Sequence, residues 1–149
     1  MNKMNNEELV FRKLTPADLN ATASGQVSAL FEQLNTSITQ QNAIEVLSNK
    51  DTVFVACLSR GEIVGMALMA TYLVISGHKG MIEDVVVSEQ YRGKGIGKKL
   101  IQALLQEAQV LQLSEILLFS GHHRTAAIAL YTSLGFSLKN SGLYRLPLI

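Results

Sequence analysis

The sequence predicts an α/β fold: a mixed, mostly antiparallel central sheet flanked by helices, in the order β-α-α-β-β-β-α-β-α-β-β. Three observations predict it. Two β-rich runs are joined by a hairpin signature, a third apolar strand feeds a glycine-rich turn, and an amphipathic helix follows that turn. Hairpins followed by one βαβ unit need a sheet with both antiparallel and parallel neighbours.

Taken in order, Leu9-Val10-Phe11-Arg12-Lys13-Leu14 reads as a short strand. Thr15-Pro16-Ala17-Asp18 has the marks of a helix start, with Thr as N-cap, Pro at the first position and an acid in the first turn. Leu19, Ala23, Val27, Leu30, Phe31 and Leu34 continue at helical spacing. Thr39 is expected to cap a shorter helix to Leu47, after the polar loop Asn35-Thr36-Ser37. Residues 52–58 and 63–74 are strands joined by Ser59-Arg60-Gly61-Glu62. Gly77-His78-Lys79-Gly80 is expected to turn the chain into a third strand, residues 81–87, whose Val85-Val86-Val87 run implies burial on both faces. A helix then carries Ile96, Leu100, Ile101, Leu104, Leu105, Ala108 and Leu111 on one face. Residues 115–120 form a strand, and 125–134 a helix ended by Gly135. Residues 136–138 and 143–148 read as terminal strands around Asn140-Ser141-Gly142.

A chain of 149 residues is expected to form one domain, 1–149, with a loose polar segment at 1–6. Hydrophobic residues make up 48% and charged residues 17%, a globular composition. Thirteen Lys+Arg against twelve Asp+Glu leave a formal charge of +1, which gives no reason to expect nucleic acid as a partner. No apolar run is long enough to span a membrane, and residues 1–8 lack a signal-type apolar stretch, so a cytoplasmic location is expected. The single Cys57 excludes an internal disulfide framework and a cysteine-based zinc cage.

The most informative segment is Val85-Val86-Val87-Ser88-Glu89-Gln90-Tyr91-Arg92-Gly93-Lys94-Gly95-Ile96-Gly97-Lys98-Lys99. Alternating glycines between a strand and a helix allow close approach to the backbone, and the helix start presents unpaired N–H groups. Lys94, Lys98 and Lys99 sit in or beside the first turn, where cations cost the helix about 0.3–1 kcal/mol each. A bound anion, best a pyrophosphate, resolves that conflict. The dinucleotide fingerprint G-x-G-x-x-G fails at Lys98, and the phosphate loop G-x-x-x-x-G-K-[ST] fails at Arg92 and Lys99.

The pattern that fits is R-x-x-G-x-G, at Arg92, Gly95 and Gly97. A second pattern, A-x-x-L-Y-x-x-L-G-F, runs from Ala127 through Tyr131 to Phe136. With these two motifs the chain resembles the GCN5-related N-acetyltransferases. The resemblance implies acetyl-CoA as cosubstrate, with no metal. It implies that Arg92, Gly93, Lys94, Gly95, Ile96, Gly97 and Lys98 hold the pyrophosphate, and that Val85, Val86 and Val87, on a strand splayed from its neighbour, bond the pantetheine arm. The family's frequent Asn seven residues before the tyrosine is Arg124 here. The stretch Ile82-Glu83-Asp84-Val85-Val86-Val87 also resembles the matching strand of glucosamine-phosphate N-acetyltransferases, where an acid lies near the amine.

Acetyl transfer needs a neutral amine, an oxyanion donor and a proton for the leaving thiolate. Glu83 is the base candidate, expected to share a face with Val85 and Val87 by strand alternation, and a lysine-paired edge carboxylate is the competing reading. Asp84 is expected to have a structural role. Tyr131 is the acid candidate, against a packed tyrosine whose hydroxyl is satisfied elsewhere. His78, His122 and His123 read as turn, loop or cap residues, with no metal-ligand spacing. Cys57 reads as a buried small hydrophobe.

The function so read is acetyl-CoA-dependent N-acetylation of a small-molecule primary amine. A non-catalytic acyl-CoA-binding module and a protein acetyltransferase stay open as alternatives. By the same resemblance the acceptor pocket involves the loop near residues 34–40 and the last strands, where Arg145 either meets an anionic acceptor or faces solvent. The terminal strands offer edges through which a homodimer is expected to pair.

Overall fold

The computed structural model describes residues 8–149; the segment 1–6, expected to be loose, lies outside the described residues. The chain divides into two compact units, Met1–Phe119 and Ser120–Ile149. The first holds a five-stranded sheet in the order β1-β2-β3-β4-β5. Its strands are β1 (Leu9–Lys13), β2 (Thr52–Ser59), β3 (Glu62–Val74), β4 (Gly77–Val87) and β5 (Glu115–Leu118). The first three pairings are antiparallel and β4–β5 is parallel, so the sheet is mixed and mostly antiparallel, as expected.

Alternation in β2 and β3 divides the core into two layers. Phe54, Ala56, Met66 and Leu68 join one cluster with Val27 and Leu30 of α1 (Ala21–Leu34) and Leu47 of α2 (Ala43–Ser48). On the other face, a Cβ at Gly65 would meet Ile96 and Leu100 of α3 (Ile96–Val110) at 3.2 Å. Ile96, Leu100, Ile101, Leu104 and Ala108 are all buried, which is the apolar face read from their spacing, while Leu111 is exposed.

Several boundaries differ from expectation. Thr15-Pro16 opens only a 3-10 turn, Pro16–Asp18. Asp18 folds back to accept from the Thr15 N–H (2.6 Å) and hydroxyl (3.0 Å), and Leu19 leaves the helical region. Asn20 then caps α1, accepting from the Ala23 N–H at 2.9 Å. Asn42, not Thr39, caps α2, because its side chain accepts from Ile44 and Glu45 N–H. Gly77 and Gly80 lie within β4 and do not turn the chain. They mark close approach: a Cβ at Gly80 would sit 2.7 Å from the Met69 sulfur. His78 therefore sits half-buried on a strand. Val86 is buried, but Val85 and Val87 are only half-buried, so burial on both faces is not met.

The second unit holds α4 (Thr125–Ser133), with Gly135 just beyond it at φ 95°. The strands expected at 136–138 and 143–148 do not form. A strand exists through its ladder, and a short hairpin alone is marginal in water. Pro147 also removes a donor from the second of these segments.

Candidate functional site

The glycine turn is built from the end of β4. Ser88 N–H bonds the Val64 carbonyl at 2.8 Å, and a 3-10 turn, Glu89–Tyr91, redirects the chain. Arg92 folds back over this turn: its Nε donates to the Val87 carbonyl at 3.2 Å, and its guanidinium lies 4.0 Å from the Glu89 carboxylate. Gly93 (φ 78°) and Gly95 (φ 75°) take the left-handed conformation that only glycine adopts freely, and the space a Cβ would occupy is open at both. Gly95 caps α3 with no side chain, so the N–H groups of Ile96, Gly97 and Lys98 precede the first helical bond, Lys99 N–H to Gly95 carbonyl at 3.2 Å. Unpaired N–H groups at a helix start are the kind of donors that suit an anion. The lysines are not all free for an anion. Lys94 lies 4.9 Å from the Tyr91 ring centre and Lys99 5.6 Å from that of Phe11, cation–π contacts worth about 0.5–1 kcal/mol at exposed sites.

Upstream, β4 runs on beyond its parallel neighbour, which ends at Leu118. The β4–β5 ladder runs from Lys79↔Glu115 to Ile82↔Leu118 and stops. Residues 83–87 keep β3 alone as a partner.

A β-bulge sits just beyond the end of this ladder. Leu68 faces Glu83 and Met66 faces Val86, which leaves Asp84 and Val85 opposite the single Ala67. Asp84 has φ 52°, in the left-handed region. The extra residue shifts the alternation. Directly opposed residues share a face, so Glu83 groups with Val86 on the face of Leu68 and Met66. The expected grouping of Glu83 with Val85 and Val87 is thereby corrected.

That face carries a cavity of about 780 Å³ in the first unit, bounded by α1, the α1–α2 loop, α2 and the sheet. Its apolar wall includes Val27, Phe31, Phe54, Met66 and Leu68. Its polar wall includes Ser24, Ser28, Gln40, Asn42 and Asp84. Gln40 Nε2 donates to the Ser28 carbonyl at 3.1 Å, which ties the loop to α1. Glu83 is exposed and is not part of the lining, although its cross-strand neighbour Leu68 is. Although the residue as a whole is exposed, partial desolvation of its carboxyl, then the adjacent Asp84 charge, push Glu83 above its ordinary pKa, and burial does the same to Asp84. Raised carboxyl pKa values at a cleft are a mark of sites that move protons.

In the second unit, Tyr131 is half-buried on α4, its ring 6.0 Å from that of Phe136 in an edge-on arrangement. Burial raises its pKa, opposed by the Arg124 charge, so the phenol keeps its proton at neutral pH. Cys57 is fully buried and its thiol is pushed up to about 11, which leaves it unreactive.

Val85, Val86, Val87 and residues 92–98 thus form one continuous strand–turn–helix segment, with Glu83 on the same strand. Sequence reading passed over two residues of the cavity. Asp84 was assigned a structural part, because a bulge leaves no mark in composition. Ser24 has a buried hydroxyl with no hydrogen-bond partner among the described residues, which only the packed structure reveals.

Among known proteins, the family model described as "Acetyltransferase (GNAT) family" matches residues 19–136. The L-methionine sulfoximine/L-methionine sulfone acetyltransferase of Pseudomonas paraeruginosa is 32% identical over 87 residues, 58% of this chain and 51% of that protein. The chain spans about half the length of that curated relative. Among solved structures, an aminoglycoside acetyltransferase, meta-AAC0020, from an uncultured soil metagenomic sample superposes with a TM-score of 0.82 at 19% identity, covering 99% of both chains. The glucosamine-6-phosphate N-acetyltransferase of Arabidopsis thaliana gives 0.75 at 23% identity, covering 94% of this chain and 99% of its own. At such identities the likeness is one of fold.

Proposed function

The chain belongs to the acetyltransferase (GNAT) family, and from that premise we propose that it moves the acetyl group of acetyl-CoA to a primary amine of a small molecule. The observation that supports this reading is the end of β5 at Leu118, which leaves residues 83–87 of β4 without a β5 partner directly upstream of the glycine turn. Backbone freed from one ladder leads without interruption to the N–H groups at the start of α3. Val85, Val86 and Val87 are suited to the pantetheine arm, and Arg92, Gly93, Lys94, Gly95, Ile96, Gly97 and Lys98 to the pyrophosphate. The recessed cavity beside Asp84 favours a small acceptor over a protein surface, and the names of the relatives describe acceptors of that kind.

An alkyl amine of pKa about 10.4 is mostly protonated at pH 7, a handicap of roughly 4–5 kcal/mol. Glu83, directly or through water, takes that proton, and its raised pKa makes it a stronger base. The amine nitrogen bonds the thioester carbon while a backbone N–H of the opened strand steadies the carbonyl oxygen. The carbon–sulfur bond breaks, and Tyr131 passes its phenolic proton to the departing sulfur. The bonded nitrogen sheds its second proton, which returns through solvent to the tyrosinate.

Calorimetric titration with acetyl-CoA is the direct test. Gly95→Asn keeps a residue that tolerates the left-handed conformation but fills the open space above the turn. It should weaken acetyl-CoA binding at least tenfold while the far-UV spectrum stays unchanged. A wild-type chain that fails to bind acetyl-CoA overturns the reading. Binding with no thiol release in the presence of any amine identifies a non-catalytic acyl-CoA-binding module instead.

A further inference from the structure

The start of the glycine turn is capped from a distant part of the chain. Ser88 holds the N-cap position of the 3-10 turn Glu89–Tyr91, yet its side chain makes no cap hydrogen bond. The Glu89 N–H donates instead to Oε1 of Gln33 on α1, at 3.1 Å and across 56 residues of chain. Asn20 and Asn42, by contrast, cap α1 and α2 locally, accepting from N–H groups two or three residues ahead. Seven residues before Gln33, on the same face of α1, Gln26 Oε1 accepts from the Ile63 N–H at 3.0 Å. Two glutamines on one helix thus hold backbone N–H groups at the start of β3 and just past the end of β4.

A cradle of backbone N–H groups stabilises an anion only where its peptides are already in place, because such donors cannot swing as side chains do. Between Glu89 and the N–H groups at the start of α3 lie Gly93 and Gly95, which give the stretch little stiffness of its own. Its entry is fixed from outside. The Ser88 N–H bonds the Val64 carbonyl on β3, the Tyr91 hydroxyl donates to Ser59 Oγ on β2 at 3.3 Å, and Gln33 adds the tie to α1. We propose that Gln33 is a positioning residue for the anion cradle: by holding the Glu89 N–H it sets where the turn begins, and so where the N–H groups of Ile96, Gly97 and Lys98 point. The proposal rests on the acetyltransferase reading for the anion, the pyrophosphate of acetyl-CoA. Gln33 is exposed, so water competes for its bond and the effect is that of a single ordinary hydrogen bond.

The test uses the full chain and three variants. Gln33→Met keeps length and helix preference but lacks the amide oxygen. Gln33→Glu keeps an oxygen at that place and is measured at high salt, which screens its added charge. Gln26→Met removes the matching bond to Ile63 and shows what the loss of one such α1 tie costs by itself. Exchange of the Glu89 amide proton, read by NMR without ligand, should quicken about two- to tenfold in Gln33→Met and stay near wild type in the other two. Calorimetry should find acetyl-CoA bound about two- to tenfold more weakly by Gln33→Met, with affinity restored in Gln33→Glu and unchanged in Gln26→Met, whatever either methionine variant loses in melting temperature. Equal weakening by Gln33→Met and Gln26→Met overturns the proposal, since α1 would then act only by general packing. An unchanged Glu89 exchange rate in Gln33→Met overturns it too, as does a failure of Gln33→Glu to restore binding. A chain that binds acetyl-CoA with an affinity indifferent to Gln33→Met refutes the positioning role alone. A wild-type chain that binds no acetyl-CoA overturns the acetyltransferase reading and this proposal with it.

Discussion

The two faces of the sheet are packed to different ends. On the α3 face, Gly65 stands where any side chain would press on Ile96 and Leu100, and Gly80 where it would press on Met69. Leu100, Ile101 and Leu104 there are 0% exposed. On the α1–α2 face, large side chains such as Phe31, Phe54 and Met66 stop short of filling the space and leave about 780 Å³. One face is dense because it holds the sheet together. The other gives up packing to make room, and the bulge that reorients Glu83 and Asp84 lies on the strand bordering that room. The core thus falls into two halves, one packed throughout and one that borders the cavity.

Three substitutions probe that division, the largest effect first. Leu100→Ala removes a fully buried side chain from the dense face and should cost about 2–5 kcal/mol in denaturant unfolding. Phe31→Ala, on the wall of the cavity, should cost less, about 1–2 kcal/mol, because one side of the ring already lacks protein neighbours. It should also weaken amine binding. Equal losses for the two would mean that the faces do not differ as described.

Glu83→Gln tests the smallest effect and works through pH. In the folded chain this carboxyl is raised above 4.5 by burial and by Asp84. The native state therefore holds the proton more tightly than the unfolded chain. The stability so contributed is complete below the ordinary carboxyl range and is lost as pH rises through the raised value. The glutamine variant should gain on wild type as pH climbs from about 4 toward neutrality. Wild-type kcat/KM should fall at acid pH with a midpoint above the ordinary glutamate value, and the variant should lose that limb along with most of its rate. An unaltered pH profile in the variant would move the base to water or to Asp84.

The turn at Gly93 and Gly95 was readable because its signal is local: glycine alternation between a strand and an amphipathic helix. The face of α3 was readable for the same reason. At Thr15-Pro16 two local signals competed. Proline and threonine announced a helix that Asn20, four residues further on, actually begins. The segments after Phe136 have strand composition but needed a partner ladder that no stretch of sequence specifies. The place of Asp84 on the cavity wall was not readable, because a bulge is a relation between β3 and β4. One inserted residue reversed the alternation from which the face of Glu83 had been read.

Because β5 ends at Leu118, the groups that would grip a ligand along residues 83–87 of β4 lie on the main chain, not on side chains. No point substitution deletes a peptide N–H except one to proline. Val85 and Val87 can therefore drift among strand-forming residues while the hold on a ligand persists. The pocket walls at Ser24, Phe31 and Asp84 have no such protection, since each of their contacts is one codon from loss. On the proposed reading, the strand part of the donor half is thereby buffered against mutation, whereas the glycine turn and the cavity wall are not.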